Sequence, residues 1–485
     1  MKRMNHEMEN KKFKKVLSKV DVLFLSIGAM LGWGWVVLSG NWIDSAGSMG
    51  ALVAFVIGGL LVTFVGLTYA ELASAMPNVG GEHHYIERAM GRKAAFIGSW
   101  AITLGYVSVV TFEAVALPTV MDYIIPDYQT GYLWTISGWD VYLTWVLIGS
   151  GGAVLLTALN YFGLKPAAFM QGVLTIFIVG IGLFLVFGSS INGDAQNLQP
   201  FFNGGAGGVM AVLIMVPFLF VGFDVIPQVA EEANMPPREI GKILIFSVAC
   251  AVIFYLAIAF GVSMALGHEA LSASELATAD AMAAVFGSKI FANILIFGGV
   301  CGIVTSWNAF IIGGSRIIYA MADSGMLPKW FSYLHPKYKT PSHAILFLGA
   351  LAVLAPLLGR PALVWIVDAG GLGIVVAYFL VALSFILLRK KEPNMARPFK
   401  AGKQNAIGWI ALVLSLGFIT LYMPGMPAAL VWPYEWIMVG IWMLIGAYFY
   451  YHMNKGKYES HIEEKQVPVQ NAKGVLEDET MENVR

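Results

Sequence analysis

Three carboxylates stand in apolar sequence with no base beside them. Asp224 lies in FLFVGFDVIPQ, Glu113 in VVTFEAVAL and Asp368 in LVWIVDAGG. Ionisable groups in such runs are costly to bury, and they mark paths for ions or charged substrates. Two stretches near them are poor helix formers. One is GAMLGWGWVVLSG (28–40), with Gly28, Gly32 and Gly34; the other carries Pro217, Gly222 and Pro227 around Asp224. Each interior glycine costs a helix about 1 kcal/mol relative to alanine. A break in a helix frees N–H groups that suit an anion and carbonyls that suit a cation. The simpler alternative is that the glycines only let helices pack closely. Gly302, Thr305 and Ser306 add a carbonyl and two hydroxyls at i, i+3, i+4 spacing, on one helical face. Those hydroxyls either serve a ligand or bond to carbonyls one turn back.

The elements that hold these residues are membrane spans. Hydrophobic residues form 58% of the 485-residue chain and charged residues only 12%, far from the balance of a soluble domain. Apolar runs near twenty residues long recur, each able to cross about 30 Å of hydrocarbon as a helix. Twelve spans are expected, at 20–44, 49–76, 94–124, 141–159, 165–187, 208–232, 240–266, 290–321, 342–358, 362–388, 405–423 and 431–452. With the N-terminus inside, only Lys289 and Arg360 of the thirty basic residues fall outside. The positive-inside rule therefore puts both termini in the cytoplasm.

This divides the chain into a basic tail (1–19), a ten-helix core (20–388), a basic cytoplasmic loop (389–404), helices eleven and twelve (405–453) and a polar tail (454–485) expected to be disordered. The two cysteines, Cys250 and Cys301, lie inside apolar runs and indicate no disulfide framework. The basic start runs into span one without a cleavage site for a signal peptide. Nothing points to nucleic acid, and the sequence carries no signal for an oligomeric state. The broken spans are the first and the sixth, offset by an odd number, so they cross the bilayer in opposite directions. That is the pattern of an inverted five-helix repeat.

Four segments carry a family resemblance: GAMLGWGWVVLSG (28–40), YAELASAMPNVGGEHHYIERAMG (69–91), GFDVIPQVAEEANMPPREIGKI (222–243) and SRIIYAMADSGMLP (315–328). In this order and spacing the chain resembles the amino acid-polyamine-organocation transporters over roughly residues 20 to 400. The resemblance implies an all-α membrane protein of the LeuT-type fold, with a 5+5 inverted repeat, discontinuous helices one and six, and alternating access around the breaks. It also implies that N–H groups around Gly32, Trp33 and Gly34 hold a substrate carboxylate, and that carbonyls near Phe218 to Gly222 hold its amine. The expected substrate set is Gly28, Gly32, Trp33, Gly34, Glu113, Phe218, Gly222, Phe223 and Asp224.

The sequence departs from that pattern. Trp33 stands where the family usually has Ser or Thr, and its indole either meets the substrate's cation or packs against a neighbour. Trp35 is expected to pack. The cationic amino-acid members carry a glutamate where this chain has Gly105; Glu113 follows two turns later on about the same face. Glu113, Asp224 and Asp368 together suggest a negative external approach. Aligning span five on proton-coupled relatives puts Ile178 where they have lysine. A sodium site is expected instead, from Ala29, Gly32, Gly302, Thr305 and Ser306, with protons as the alternative coupling ion and no other cofactor. Glu71, Glu231, Glu232, Arg238 and Arg316 are read as cytoplasmic ion pairs. His83 and His84 have no evident third metal ligand.

The expected function is secondary active import of an amino acid or related small amine across the plasma membrane. An exchanger or uniporter of polyamines or organic amines is the alternative. No HExxH, GxSxG triad or intramembrane aspartyl pair supports an enzyme, no repeated pore segment supports a channel, and no soluble output domain supports a sensor.

Overall fold

The computed structural model describes residues 13–426 and 429–453. The expected polar tail (454–485) lies outside the described residues, as do the first twelve residues. Among the described residues, eight helices are long and apolar enough to cross a membrane: Lys19–Val37, Ser48–Ala75, Arg92–Ile124, Leu143–Phe162, Leu164–Asn192, Pro237–Ala265, Lys289–Asp323 and Ala362–Lys391. They correspond to expected spans one to five, seven, eight and ten. Spans six, nine and eleven appear as the shorter apolar segments Gly205–Leu219, Ser342–Leu358 and Ala406–Leu421. Span twelve is the helix Tyr434–His452. Span ten packs on span three, span seven on span two, and span eight on spans three and five.

The first helix starts where its sequence dictates. Ser18 accepts from the Asp21 N–H while the Asp21 carboxylate accepts from the Ser18 N–H at 2.8 Å, a reciprocal cap for two otherwise unpaired donors. The helix stops at Met30, resumes as the single turn Gly34–Val37, and continues as Ser39–Ala46. Span six is likewise divided, into Gly205–Leu213, Val216–Leu219 and Val225–Gln228. The stretches 20–44 and 208–232, expected to be broken, are three α-helical pieces each.

Four further elements escaped the hydropathy reading because none is long or apolar enough to register. A short helix, Glu82–Met90, follows span two. A two-stranded antiparallel hairpin, Tyr132–Ile136 with Trp139–Tyr142, links spans three and four. Helices His268–Ser272 and Ala277–Phe286 lie between spans seven and eight. The last of these holds the far half of span one, with the Thr278 hydroxyl donating to the Val36 carbonyl at 2.8 Å.

Ion pairs collect at one end of the bundle. Arg316 pairs with Glu232 at 2.8 Å, and Glu71 accepts from Arg389 at 2.8 Å and forms an ion pair with Arg397 at 3.1 Å. Glu231 instead accepts from the Val79 N–H at 3.4 Å. Span ten runs to Lys391, so the expected basic loop 389–404 starts slightly later; it folds back so that Arg389 also donates to the Ala401 carbonyl. At the same end, residues 16 and 17 donate to the Glu232 carbonyl, and Asn234 donates back to Leu17.

Burial sets what these pairs contribute. Arg316 and Glu232 are 1% and 3% exposed, whereas Arg88 and Glu392 are 23% and 32% exposed. Removing one partner of a buried pair leaves an uncompensated charge and costs about 3–5 kcal/mol, while an exposed pair contributes about 1 kcal/mol or less. Arg316→Leu should therefore lower the melting temperature in detergent clearly, and Arg88→Leu should barely move it. Equal shifts would contradict this reading.

Candidate substrate and ion site

The two breaks touch, and glycines make the contact possible. At Gly222 the backbone adopts φ +133°, and a Cβ there would stand 2.7 Å from the Ala29 Cβ and 2.9 Å from the Met30 nitrogen. A Cβ on Gly34 would meet Leu219 of span six at 2.6 Å. From span eight, Gly302 seats directly on the Gly32 and Leu31 carbonyls, where a Cβ would lie 2.7 and 3.1 Å away. Gly28 faces Gln171 and Thr175 of span five together with Thr305. Tyr255 of span seven ties the breaks together, its hydroxyl placed to donate to the Met30 carbonyl at 2.8 Å and the Leu219 carbonyl at 3.2 Å.

The carboxylates separate into three roles. Asp224 braces the span-six break: one oxygen accepts from the Gly222 N–H at 2.7 Å and the other from the Tyr106 hydroxyl at 2.9 Å. Both of its oxygens thus have partners. Glu113 reaches the span-one break, where one oxygen would lie 3.2 Å from a Cβ on Gly32, beside Ser306, which hydrogen-bonds to it. Its other oxygen is buried and has no partner. Asp368 does not join them. It faces Glu435 of span twelve instead. The expected three-acid external approach is therefore corrected to Glu113 and Asp224.

The cation set is partly assembled. Gly32, Gly302, Thr305 and Ser306 converge, but Ala29 packs against Gly222, and Leu31 supplies the second span-one carbonyl beside Gly302. The Thr305 hydroxyl donates to the Gly302 carbonyl at 3.0 Å. In span five the residues facing the near half of span one are Gln171 and Thr175, which donate to Leu25 and Phe24 carbonyls at 3.5 and 3.3 Å. Ile178 is buried among apolar neighbours. Asn308 extends this polar seam, donating to Gln171 and accepting from Asn160, both at 2.8 Å.

Among the aromatic candidates, Trp33 lays its indole over Gly299 of span eight, beside Val36. Trp35 packs edge-on against Phe254 with ring centroids 5.4 Å apart, as expected. Phe223 is fully buried against Tyr69 and Tyr378, whereas Phe218 is half-buried against Phe112. Glu87 comes within 4.8 Å of His83 and His84, which the sequence did not reveal. Both His83 ring nitrogens already contact serine hydroxyls, Ser99 at 2.9 Å and Ser324 at 2.7 Å. Burial pushes this imidazole well below its usual pKa, so it is neutral.

Two interrupted helices thus meet at their breaks, with the buried Glu113 carboxylate beside them. A family model described as amino acid permease matches residues 17–451. The chain belongs to that family. It is thus a multi-pass membrane transporter of the amino acid-polyamine-organocation superfamily and not an enzyme. The chain is 28% identical to the branched-chain amino acid permease BcaP of Bacillus subtilis over 469 residues, covering 91% of this chain and 93% of the relative. It is 23% identical to the methylthioribose transporter of the same organism over 463 residues (92% and 95%). It is 26% identical to that organism's aspartate-proton symporter over 419 residues (83% and 78%).

Sequence reasoning missed Tyr106, Tyr255, Gln171 and Asn308. All are ordinary residues in apolar helices, and their roles depend on contacts with distant spans. The contact between the breaks yields a direct test. Gly222→Ala forces a side chain into Met30 at a positive φ and should cut uptake by about tenfold or more, since 1.4 kcal/mol of displaced equilibrium suffices. Gly417→Ala, where a Cβ would meet nothing within 4 Å, should leave uptake unchanged. Normal uptake by Gly222→Ala would show that the breaks need not touch.

Proposed function

We propose that this permease imports an amino acid or related small amine across the plasma membrane by cation-coupled alternating access. In this reading it has twelve spans in the LeuT-type inverted repeat, both termini are cytoplasmic, and the breaks in spans one and six hold the substrate. The observation that carries the reading is the unpartnered Glu113 oxygen. A buried carboxylate with no base nearby calls for a cation, and this one lies between the span-one break and Ser306.

N–H groups around Gly32, Trp33 and Gly34 take the substrate carboxylate, and span-six carbonyls near Gly222 take its amine. Sodium occupies the oxygen set of Gly32, Gly302, Thr305 and Ser306, with Glu113 supplying the negative charge. Hard cations prefer such ligands. Binding of both cargoes draws the outer halves of spans one and six together, after which the inner half of span one swings away. Trp33 packing on Gly299 takes its indole off the substrate and favours an ordinary amino acid as cargo.

Proton coupling is the second reading. Its support is the same acid, which a proton neutralises as well as sodium does, and a relative named as an aspartate-proton symporter. Proteoliposome uptake of labelled leucine under imposed sodium or proton gradients separates the two. Glu113→Gln should abolish gradient-driven accumulation; hydrogen bonds to charged groups are worth about 1.5–3 kcal/mol, or roughly ten- to 150-fold in affinity. Accumulation unaffected by this change would remove Glu113 from the coupling site. Thr305→Ala with Ser306→Ala should remove sodium dependence alone, and sodium dependence that survives both changes would place that ion elsewhere.

A further inference from the structure

A second buried acid, outside the substrate set, lies at the end of the bundle where the chain's ion pairs gather. Glu82 opens the short helix after span two and is fully buried. One of its oxygens accepts from the Gln228 amide at 2.7 Å; the other has no partner. Around it, Gln228 Oε1 and the hydroxyls of Tyr69, Tyr85 and Tyr378 are also buried and unpartnered. Unsatisfied buried oxygens of this kind call for water or a shared proton.

The charged and titratable groups facing Glu82 are all acidic or neutral. Asp224 and Gln228 come from span six, Tyr69 from span two, Tyr106 from span three, Tyr378 from span ten and Tyr85 from its own helix. The nearest base on span eight, Arg316, is committed to Glu232. Burial and the neighbouring Asp224 charge push the Glu82 carboxyl well above the usual carboxylate range.

Glu82 also sits at the contact between its loop and span six. Gly81 packs against Pro227, where a Cβ would meet the proline at 2.6 Å, and the Gly80 N–H donates to the Gln228 carbonyl at 3.4 Å. Residues 16 and 17 dock on the same end of span six. In the alternating-access reading, separation of this loop from span six opens the inner side and exposes Glu82 to water.

From this arrangement we propose that Glu82 is a proton-binding residue of the inner gate, holding a proton while the gate is closed and releasing it as the gate opens. The balance is simple. The Glu82 O–H bond breaks, its electron pair stays on the carboxylate, and the proton passes to water on the inner side. The inference rests on the alternating-access reading but not on which ion occupies the Glu113 site.

Infrared spectroscopy of the full chain in lipid nanodiscs at neutral pH tests the proton itself. A protonated-carboxyl stretch that shifts in heavy water should be present in wild type, and Glu82→Gln should remove a component of it that Glu113→Gln retains. A band undiminished in Glu82→Gln would overturn the proposal. Leucine counterflow at varied internal pH tests the release. The wild-type rate should fall as the lumen is made acidic, and this dependence should weaken in Glu82→Gln while counterflow is kept. An internal-pH dependence unchanged in Glu82→Gln would also overturn the proposal. If wild-type vesicles show no leucine counterflow, the transport reading fails for that probe, and the infrared result still decides whether Glu82 holds a proton.

Discussion

A backbone N–H or carbonyl that leaves a helix inside a hydrocarbon layer must find a partner within the protein. This chain leaves its helices twice at that depth, and the surrounding packing follows from the need to enclose the two breaks. Gly222 gives up its side chain so that span six can lie on the Ala29–Met30 backbone, and Gly302 does the same for span eight over Gly32. Tyr255 then satisfies a carbonyl from each break with one hydroxyl, and Asp224 satisfies the N–H of Gly222. The groups left over define what the site can hold.

The long, strongly apolar elements were legible because hydropathy over twenty residues depends on no tertiary contact. The breaks were legible too, because clustered glycine and proline contradict helix in any setting. Single carboxylates drew attention to themselves by their cost, but their partners did not. Asp368 looked like part of the external approach until Glu435, nearly seventy residues on, accounted for it. Ala29 and Leu31 flank the point where the first helix ends, so helical spacing did not fix which carbonyl faces span eight; the seat of Gly302 on the Leu31 and Gly32 carbonyls does. Trp33 was ambiguous for the same reason. An indole in a broken helix has two places to go, and Gly299, hundreds of residues later, provides the slot.

Glu113 and Glu82 differ in what surrounds them. Glu113 meets the span-one break and a serine hydroxyl, groups that suit an inorganic cation or an ammonium. Glu82 meets an amide and phenols beneath the span-six break, groups that suit a proton and water. Asp224 lies between the two regions with both oxygens engaged, so it serves as a brace. In the proposed reading, one face of the paired breaks takes the cargo and the other its exit, with acidic chemistry on both.

The central claim is that the paired breaks bind a small amine-bearing cargo. It is tested most directly by thermal-shift measurements on the purified full chain against a panel of amino acids, polyamines and ethanolamine-like compounds, with and without sodium. The account predicts that at least one amino acid raises the melting temperature and that Glu113→Gln removes the shift. Stabilisation by none of the panel, or by the same compound equally in wild type and Glu113→Gln, would contradict it.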